Sequence, residues 1–195
     1  MSFIQIQQTN KKIIRRTPIG PVVVIWSMIN QKPLVVSILL SRPGLSAEAQ
    51  TDNLFAKSGK SSCMEIDALA DSITACLEGA PVQFSLDIVD LSSFTKFQKS
   101  VLLAQYAIPR GSVSTYGLIA SHVGVPGGAR AVGNVMACNP FPIIIPCHRT
   151  VLSNFSLGGF GGGAAMKRAL LEKEGIVFDE AGKVICNRLQ YSQKK

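Results

Sequence analysis

The sequence contains few histidines, and its cysteines follow no regular spacing. Among 195 residues there are two histidines and five cysteines, namely Cys63, Cys76, Cys138, Cys147 and Cys186. An odd number of cysteines without paired spacing does not support a disulfide framework, and two histidines give no zinc-finger pattern. We therefore expect a protein of a reducing compartment, the cytoplasm or the nucleus, that holds neither a metal ion nor a cofactor.

Long hydrophobic runs are absent as well. Hydrophobic residues make up 47% of the chain, which is enough to bury a core in one domain or in two small ones. The basic start around Lys11 and Arg16 precedes an apolar run at 22–26 and so imitates a signal peptide. That run is too short, and no small-residue cleavage site follows it. The sequence predicts a globular protein without a membrane partner.

Acidic residues are missing from one long segment, residues 91–171. The same segment contains seven basic residues: Lys96, Lys99, Arg110, Arg130, Arg149, Lys167 and Arg168. The formal net charge of the whole chain is +8. Each phosphate that meets Lys or Arg releases counterions, whereas a carboxylate would repel the phosphate. This segment therefore predicts a surface that binds a polyanion, although a solvated basic face would have the same composition.

The first half, residues 1–91, has the pattern of an α+β domain that supports the other half. β-Branched runs on either side of turn residues predict a hairpin, apolar residues at helical spacing predict a helix, and strict alternation predicts a strand. The predicted elements are a hairpin over 22–40 with its turn at 30–33, an irregular stretch over 45–62, a helix over Met64–Glu78 ended by Gly79, and a half-buried strand over 82–88.

The second half, residues 92–195, predicts a mostly helical, winged-helix-like domain. The predicted elements are a helix opened by a capping box at Thr95 and ended at 109–111, a helix up to Val123 capped by Ser114, a breaker at 124–127, helices over 128–138 and 164–174, a hairpin over 176–186, and a frayed basic end over 189–195. Two short helices joined by a tight glycine-containing turn are the outline of a helix-turn-helix.

The second helix of this pair has an unusual composition. It carries Gly128 and Gly133, and each glycine weakens a helix interior by about 0.5 to 1 kcal/mol relative to alanine. A close approach of the backbone to a large partner would explain both glycines. Arg130 is the one long charged side chain among small residues and could then reach into a groove. Tight helix packing with a solvated Arg130 is the alternative.

One segment places a cysteine and a histidine side by side after an apolar run. The isoleucines at 143–145, followed by a proline, predict a short buried strand with Cys147 at its end. A free thiol has an ordinary pKa of about 8.5 and becomes nucleophilic where a base or a cation favours the thiolate. His148 is the candidate base, and Arg149 would add positive charge. Alternatively, Cys147 is one more small buried hydrophobic residue.

Two further features lie downstream of this cysteine. The glycine-rich loop 158–163 lacks the strand context and the Lys-Ser/Thr ending of a phosphate loop, so it does not predict a nucleotide site. Its glycines would let main-chain amides approach a flat ligand, with Phe160 available to stack. Glu174, at a helix end, could orient a histidine, and a solvated helix end is the alternative.

The second half resembles the catalytic domain of the O6-alkylguanine-DNA alkyltransferases, also called methylated-DNA protein-cysteine methyltransferases. The matching residues appear in family order and spacing over about residues 93 to 176: Phe97 and Gln98, Ser114 to Tyr116, Ala129 to Gly133, Asn139 and Pro140, Ile145 to Arg149, Leu170 and Leu171, and Glu174 and Gly175. The Pro-Cys-His-Arg signature in this context is highly specific. The first half resembles the family's variable N-terminal domain in size and α+β pattern only.

The resemblance implies a direct-reversal DNA repair protein. Cys147 would take a methyl or larger alkyl group from O6 of guanine, or from O4 of thymine, in one irreversible displacement. By resemblance, His148 acts through a water and is held by Glu174, Asn139 braces the turn, and Tyr116 donates a proton as guanine leaves. The DNA-binding residues implied are Arg130, which fills the gap left by the flipped base, Ala129, Ala131 and Gly133 in the minor groove, and Thr150, Phe160 and Gly161 around the base. The expected partner is duplex DNA, bound by a monomer.

The sequence departs from the family's pattern at three of these positions. Thr150 stands where the family usually has Val, Phe160 where Tyr is common, and Gly161 where Ser is common, so the wall of the alkyl pocket differs. The structural zinc of some relatives is not expected, because neither His122 nor His148 lies in the N-terminal half. Two other readings use the same residues: a Cys-His hydrolase, and a DNA-binding protein that flags lesions without repairing them. Relatives of the second kind lack the cysteine.

Overall fold

The computed structural model describes residues 8–186 and 189–192, and the chain divides into two compact units. The first ends at Asp90 and the second begins at Leu91. The first unit is built on an antiparallel sheet in the order β1 (Asn10–Ile14), β2 (Val22–Ile29), β3 (Lys32–Leu40). The predicted hairpin is confirmed. Asn30 and Gln31 form its two-residue turn with φ angles of 49° and 63°, the left-handed conformation that matches the twist of the flanking strands.

Two helices complete the first unit, and only the second was predicted. Helix α1 (Ala47–Leu54) lies in the stretch expected to be irregular, so that prediction was wrong. Its buried face carries polar residues, including Gln50 and Thr51, and hydrophobic periodicity cannot detect such a face. Helix α2 (Met64–Glu78) has the predicted bounds and ends at Gly79 with a φ of 111°.

Two strand assignments in the first unit need correction. Residues 82–88 do not form a strand, because their only regular structure is a 3₁₀ turn over Leu86–Ile88, capped by Ser85. Strand β1 was missed because it is short and carries two lysines. It pairs with β2 at the edge of the sheet, where Lys11 and Lys12 form ion pairs with Asp52 and Asp67. Lysines of this kind are ordinary on an edge strand.

The second unit is mostly helical, as predicted. Its elements are α3 (Lys96–Tyr106), β4 (Ser114–Thr115), α4 (Tyr116–His122), α5 (Ala129–Ala137), β5 (Thr150–Val151), α6 (Ala164–Lys173), β6 (Val177–Phe178) and β7 (Val184–Ile185). The capping box before α3 is confirmed, since Thr95 and Gln98 exchange side-chain and backbone hydrogen bonds. The predicted hairpin over 176–186 is present as β6 and β7. Together the units form the α+β fold that the sequence predicts.

The two helices α4 and α5 form the predicted helix-turn-helix pair. The turn between them uses Gly124 and Gly127 at positive φ angles of 80° and 82°, which glycine adopts without strain. The cap of α4 is Thr115, whose hydroxyl accepts a hydrogen bond from the Leu118 amide. Ser114 was the wrong choice of cap, because it belongs to β4 and pairs with Thr150 in a parallel bridge.

Residues 189–192 make contacts that the sequence does not predict. Residues 189–192 were expected to fray, but the Tyr191 ring stacks on His122 at 3.9 Å between centroids. The Tyr191 hydroxyl also donates to the carbonyl of Ala104, and the Gln190 amide donates to the carbonyl of Val113. The prediction was therefore wrong for 189–192, while residues 193–195 lie outside the described residues. Within the described ranges, no helix has both the length and the apolar character needed to cross a bilayer.

Candidate active site

Cys147 opens a 3₁₀ turn, Cys147–Arg149, instead of ending a strand. The predicted strand over 143–145 is wrong: these residues form turns, although all three isoleucines are buried. The prolines on either side of them lack the N–H groups that a strand pairing needs. Ile143 also has a φ of 75°, a strained conformation for a β-branched residue. The first strand after these turns is β5, which begins at Thr150.

Asn139 braces this proline-rich segment. Its side-chain amide donates to the carbonyl of Ile145 at 3.0 Å, and its side-chain oxygen accepts from the Phe141 amide at 3.0 Å. The Asn139 side chain also lowers the pKa of the Cys147 thiol. One side chain thus fixes the turns that precede the cysteine and favours the thiolate.

The thiol of Cys147 is protonated in the resting site. Cys147 is half-buried, and burial raises the pKa of its thiol, while the hydrogen bond from Asn139 and the charge of Lys167 lower it in part. Arg149, expected to supply the positive charge, does not act on the sulfur. Its guanidinium faces Glu174 instead. Reaction at neutral pH therefore requires a base that removes the thiol proton.

His148 and Glu174 form a buried pair that can supply this base. The Nε2 atom of His148 lies 3.0 Å from Oε1 of Glu174, and the two residues are 2% and 9% exposed, which excludes the solvated helix end. Burial alone would raise the pKa of Glu174, but hydrogen bonds from His148 and Arg149 outweigh it and lower the pKa to about 2. Because the carboxylate carries no proton, Nε2 must be the donor.

The other imidazole nitrogen is therefore the basic one. Nδ1 of His148 is buried and has no hydrogen-bond partner among the described residues. Burial lowers the pKa of His148 and outweighs the opposing effect of Glu174, so the ring is neutral at neutral pH. A neutral imidazole in a fixed tautomer, with a lone pair on Nδ1, is the form that accepts a proton.

Arg149 ties the same carboxylate to the rest of the unit. Its Nε and Nη2 atoms donate to Glu174 at 2.9 and 2.7 Å, and Nη1 donates to the carbonyl of Ile108 at 2.7 Å. Such a two-pronged pair holds both the position and the plane of the carboxylate. Arg149 therefore acts on the site through Glu174.

Lys167 is the functional residue that sequence reasoning missed. It is fully buried, and its Nζ donates to the carbonyls of Thr150 at 2.6 Å and Gly159 at 3.3 Å. Burial lowers the pKa of Lys167 to about 8, and the charge of Cys147 opposes this. A signal did exist: Lys167 lies three and four residues before Leu170 and Leu171, on the apolar stripe of α6. Lys167 and most of the Arg149 side chain are therefore buried, and neither belongs to the basic surface that the sequence predicts.

Tyr116 lies close enough to Cys147 to feel its charge, and Phe160 contacts His148. Burial raises the pKa of Tyr116, and the charge of Cys147 adds to it, so the phenol keeps its proton. A Cβ atom on Gly133 would lie 3.9 Å from the Tyr116 ring, and one on Gly158 would lie 3.6 Å from its hydroxyl. The Phe160 ring meets the His148 ring edge-on at 6.2 Å.

The predicted DNA-binding residues differ in their exposure. On α5, Arg130 and Ala131 are exposed and Ala129 and Gly133 are half-buried, while Val132, Val135 and Met136 face the interior as predicted. Thr150 is fully buried, so it does not lie on an accessible surface as the other predicted residues do. Gly161 is exposed, and a Cβ atom there would meet no described atom within 4 Å. In the described ranges, no group of three or more His, Cys, Asp or Glu side chains could hold a metal ion.

Comparisons with known proteins agree with this geometry. The family profile "6-O-methylguanine DNA methyltransferase, DNA binding domain" matches residues 96–176. The methylated-DNA--protein-cysteine methyltransferase of Methanothermobacter thermautotrophicus is 42% identical over 113 residues, which cover 58% of this chain and 63% of that protein. The match thus spans less than two thirds of the length of this curated relative.

Two solved structures match most of the chain. The Mycobacterium tuberculosis O6-methylguanine methyltransferase has a TM-score of 0.68 and 32% identity over 86% of this chain and 93% of its own. The OGT of the same organism in complex with DNA has a TM-score of 0.64 and 30% identity over 86% and 92%. On this coverage and identity, the chain belongs to the 6-O-methylguanine DNA methyltransferase family.

Proposed function

We propose that this chain repairs DNA directly, by moving an alkyl group from O6 of guanine, or from O4 of thymine, onto Sγ of Cys147. The observation that carries the proposal is the buried Nδ1 of His148, unpaired within the described residues, on a ring held by Glu174 and next in sequence to a half-buried thiol. That arrangement is a nucleophile with an oriented base. The family named above supports the choice of substrate.

The chemical step balances with the residues of the site. His148 accepts the thiol proton through a water, and Glu174 stabilises the imidazolium. The sulfur then attacks the alkyl carbon, so that the S–C bond forms while the C–O6 bond breaks and O6 keeps the electron pair. Tyr116, which retains its proton because its pKa is raised, protonates the departing guanine and recovers a proton from His148. The thioether is not hydrolysed, so each protein acts once.

The DNA must be deformed for this reaction, because the lesion lies inside the base stack. Flipping the base out costs a few kcal/mol, and α5 carries the means to offset that cost. Its small residues Ala129, Ala131 and Gly133 allow close approach to a minor groove, and the exposed Arg130 can fill the gap in the stack. We place this monomeric activity in the cytoplasm or the nucleus, where alkylated DNA occurs.

A mass measurement tests the proposal. The protein is incubated with duplex DNA containing O6-methylguanine, and the intact mass is expected to rise by one methylene unit, located on the peptide with Cys147. Cys138→Ser, which removes an exposed thiol, should react as the unaltered chain does, and Cys147→Ser should gain nothing. Repeated release of product without a stable adduct would instead indicate a hydrolase, and binding without transfer would indicate a lesion-flagging protein.

Arg130→Ala separates base flipping from chemistry. The rate with alkylated duplex is expected to fall about 10- to 100-fold, because an empty gap forfeits roughly 1.4 to 2.8 kcal/mol of stabilisation. The rate with free O6-benzylguanine should stay within about twofold, since a free base needs no gap-filler. The control Lys57→Ala removes one positive charge from an exposed position of the first unit, outside the basic segment, and should leave both rates nearly unchanged. Equal losses on the two substrates would contradict a gap-filling role.

A further inference from the structure

Helix α3 contains a buried amide that the reaction scheme does not use. Gln105 is fully buried. Its Nε2 donates to the carbonyl of Pro146 at 2.6 Å, and its Oε1 accepts a hydrogen bond from the hydroxyl of Thr150. Pro146 directly precedes the Cys147 turn and Thr150 directly follows it. One side chain therefore holds both ends of the turn that carries the nucleophile.

Packing alone does not explain this amide. The buried neighbours of Gln105 along α3 are Val101, Leu102 and Ala104, so an aliphatic side chain would continue the apolar face of this helix. A buried amide is tolerated only when its donor and acceptor are both paired. Thr150 supplies the hydroxyl that pairs with the side-chain oxygen of Gln105. Gln105 and Thr150 thus form a polar pair in place of an apolar contact.

Thr150 also links this pair to the charge beside the sulfur. Its amide donates to the carbonyl of Cys147, and its carbonyl accepts from Lys167. The hydrogen bond between the Thr150 hydroxyl and Gln105 therefore fixes Thr150, which connects the Cys147 turn to Lys167. A shift of Thr150 would move the sulfur and the ammonium group relative to each other.

We propose that Gln105 is a positioning residue for alkyl transfer, which acts through Pro146 and Thr150 to hold Sγ of Cys147 in its attacking direction. This inference rests on the proposed function, because the direction of attack matters only for transfer. Orientation of a nucleophile affects the maximal rate of the chemical step much more than the affinity for substrate.

The test uses four variants of the full chain and free O6-benzylguanine, with the maximal rate and the half-saturating concentration measured separately. Gln105→Leu and Thr150→Val are each expected to lower the maximal rate about 10-fold or more and to leave the half-saturating concentration within about twofold. Thr150→Ser keeps the hydroxyl and should restore most of the rate. The double variant Gln105→Leu/Thr150→Val should be no slower than the slower single variant, because both changes break one pair.

Thr51→Val is the matched control. Thr51 is also buried and donates its hydroxyl to a carbonyl, that of Ala47, in the first unit. It should lower the melting temperature and leave the maximal rate unchanged. If Gln105→Leu does not fold, the difference in maximal rate between Thr150→Val and Thr150→Ser still tests whether the hydrogen bond to Gln105 positions the sulfur. Unchanged maximal rates in folded Gln105 and Thr150 variants would overturn the inference.

The rate of Cys147 alkylation by iodoacetamide gives the same comparison without any guanine. We expect this rate to fall in Gln105→Leu and Thr150→Val and to be recovered in Thr150→Ser. Failure of the unaltered chain to accept benzyl would count against the proposed function alone, because the iodoacetamide series would still show whether Gln105 positions the sulfur.

Discussion

A Glu174→Gln variant is expected to lose stability and most of its transfer rate together. Glu174 is the shared acceptor for His148 and Arg149, and the Arg149 and Glu174 side chains are only 13% and 4% exposed. Breaking a buried ion pair by removing one partner costs about 3 to 5 kcal/mol, since the remaining charge is left uncompensated. The rate should fall about 100-fold, because an amide neither fixes the histidine tautomer nor stabilises the imidazolium.

The pH dependence of stability gives this prediction a second readout. The pKa of Glu174 lies at about 2, below its ordinary value of 4.5, so this carboxylate stabilises the fold above pH 4.5. That contribution is lost as the pH falls towards 2, because the unfolded chain then binds a proton that the folded chain resists. Urea unfolding at pH 7 and at pH 3 measures it, and Glu174→Gln should lack this part of the pH dependence.

Glu172→Gln is the matched control for this change. Glu172 forms an exposed pair with Arg168 on the same helix, with side chains about half exposed, and surface pairs of this kind contribute about 0 to 1 kcal/mol. The control should therefore change neither the unfolding curve nor the transfer rate appreciably. If Glu174→Gln behaved like Glu172→Gln, the buried carboxylate would not hold the base.

The sequence predicts the elements whose cause is local. The hairpin, helix α2 and the capping box of α3 follow from turn residues, periodicity and caps, and all three are confirmed. The strand prediction for residues 143–145 was wrong because three consecutive isoleucines have a high strand propensity. The prolines around them, which deny the segment its hydrogen bonds, decide the outcome. Helix α1 was not predicted because its buried face carries polar residues, which give no apolar periodicity.

The candidate site was predictable as a set of residues but not as an electrostatic arrangement. The resemblance supplied Cys147, His148 and Glu174 together. It could not show that Arg149 is neutralised by the carboxylate, because a basic residue beside a cysteine in sequence gives no direction for its side chain. The cation that acts on the sulfur comes instead from α6, twenty residues away in the chain.

Lys167→Met is expected to slow alkyl transfer about 10-fold or more. The Lys167 charge is one of the few influences that favour the thiolate of Cys147, and a positive neighbour promotes a cysteine nucleophile by stabilising that form. Without it, the pKa of Cys147 should rise further above its ordinary value. The midpoint of the pH profile for iodoacetamide alkylation should therefore move upward.

Methionine nearly matches lysine in length, so the change removes the charge and the donors with little loss of volume. Lys173→Met, which alters an exposed lysine of the same helix, should leave the alkylation profile in place. An unmoved midpoint in Lys167→Met would show that the ammonium group serves only to bind the carbonyls of Thr150 and Gly159.

The same variant should change how stability depends on alkaline pH. The pKa of Lys167 is lowered from 10.5 to about 8, so between these values the unfolded chain binds more protons than the folded chain, and stability rises with pH. Below pH 8 the folded protein keeps a buried charge at a cost of roughly 3 kcal/mol, at 1.36 kcal/mol per pKa unit. Urea unfolding at pH 8 and pH 10 should show this rise in the unaltered chain and not in Lys167→Met.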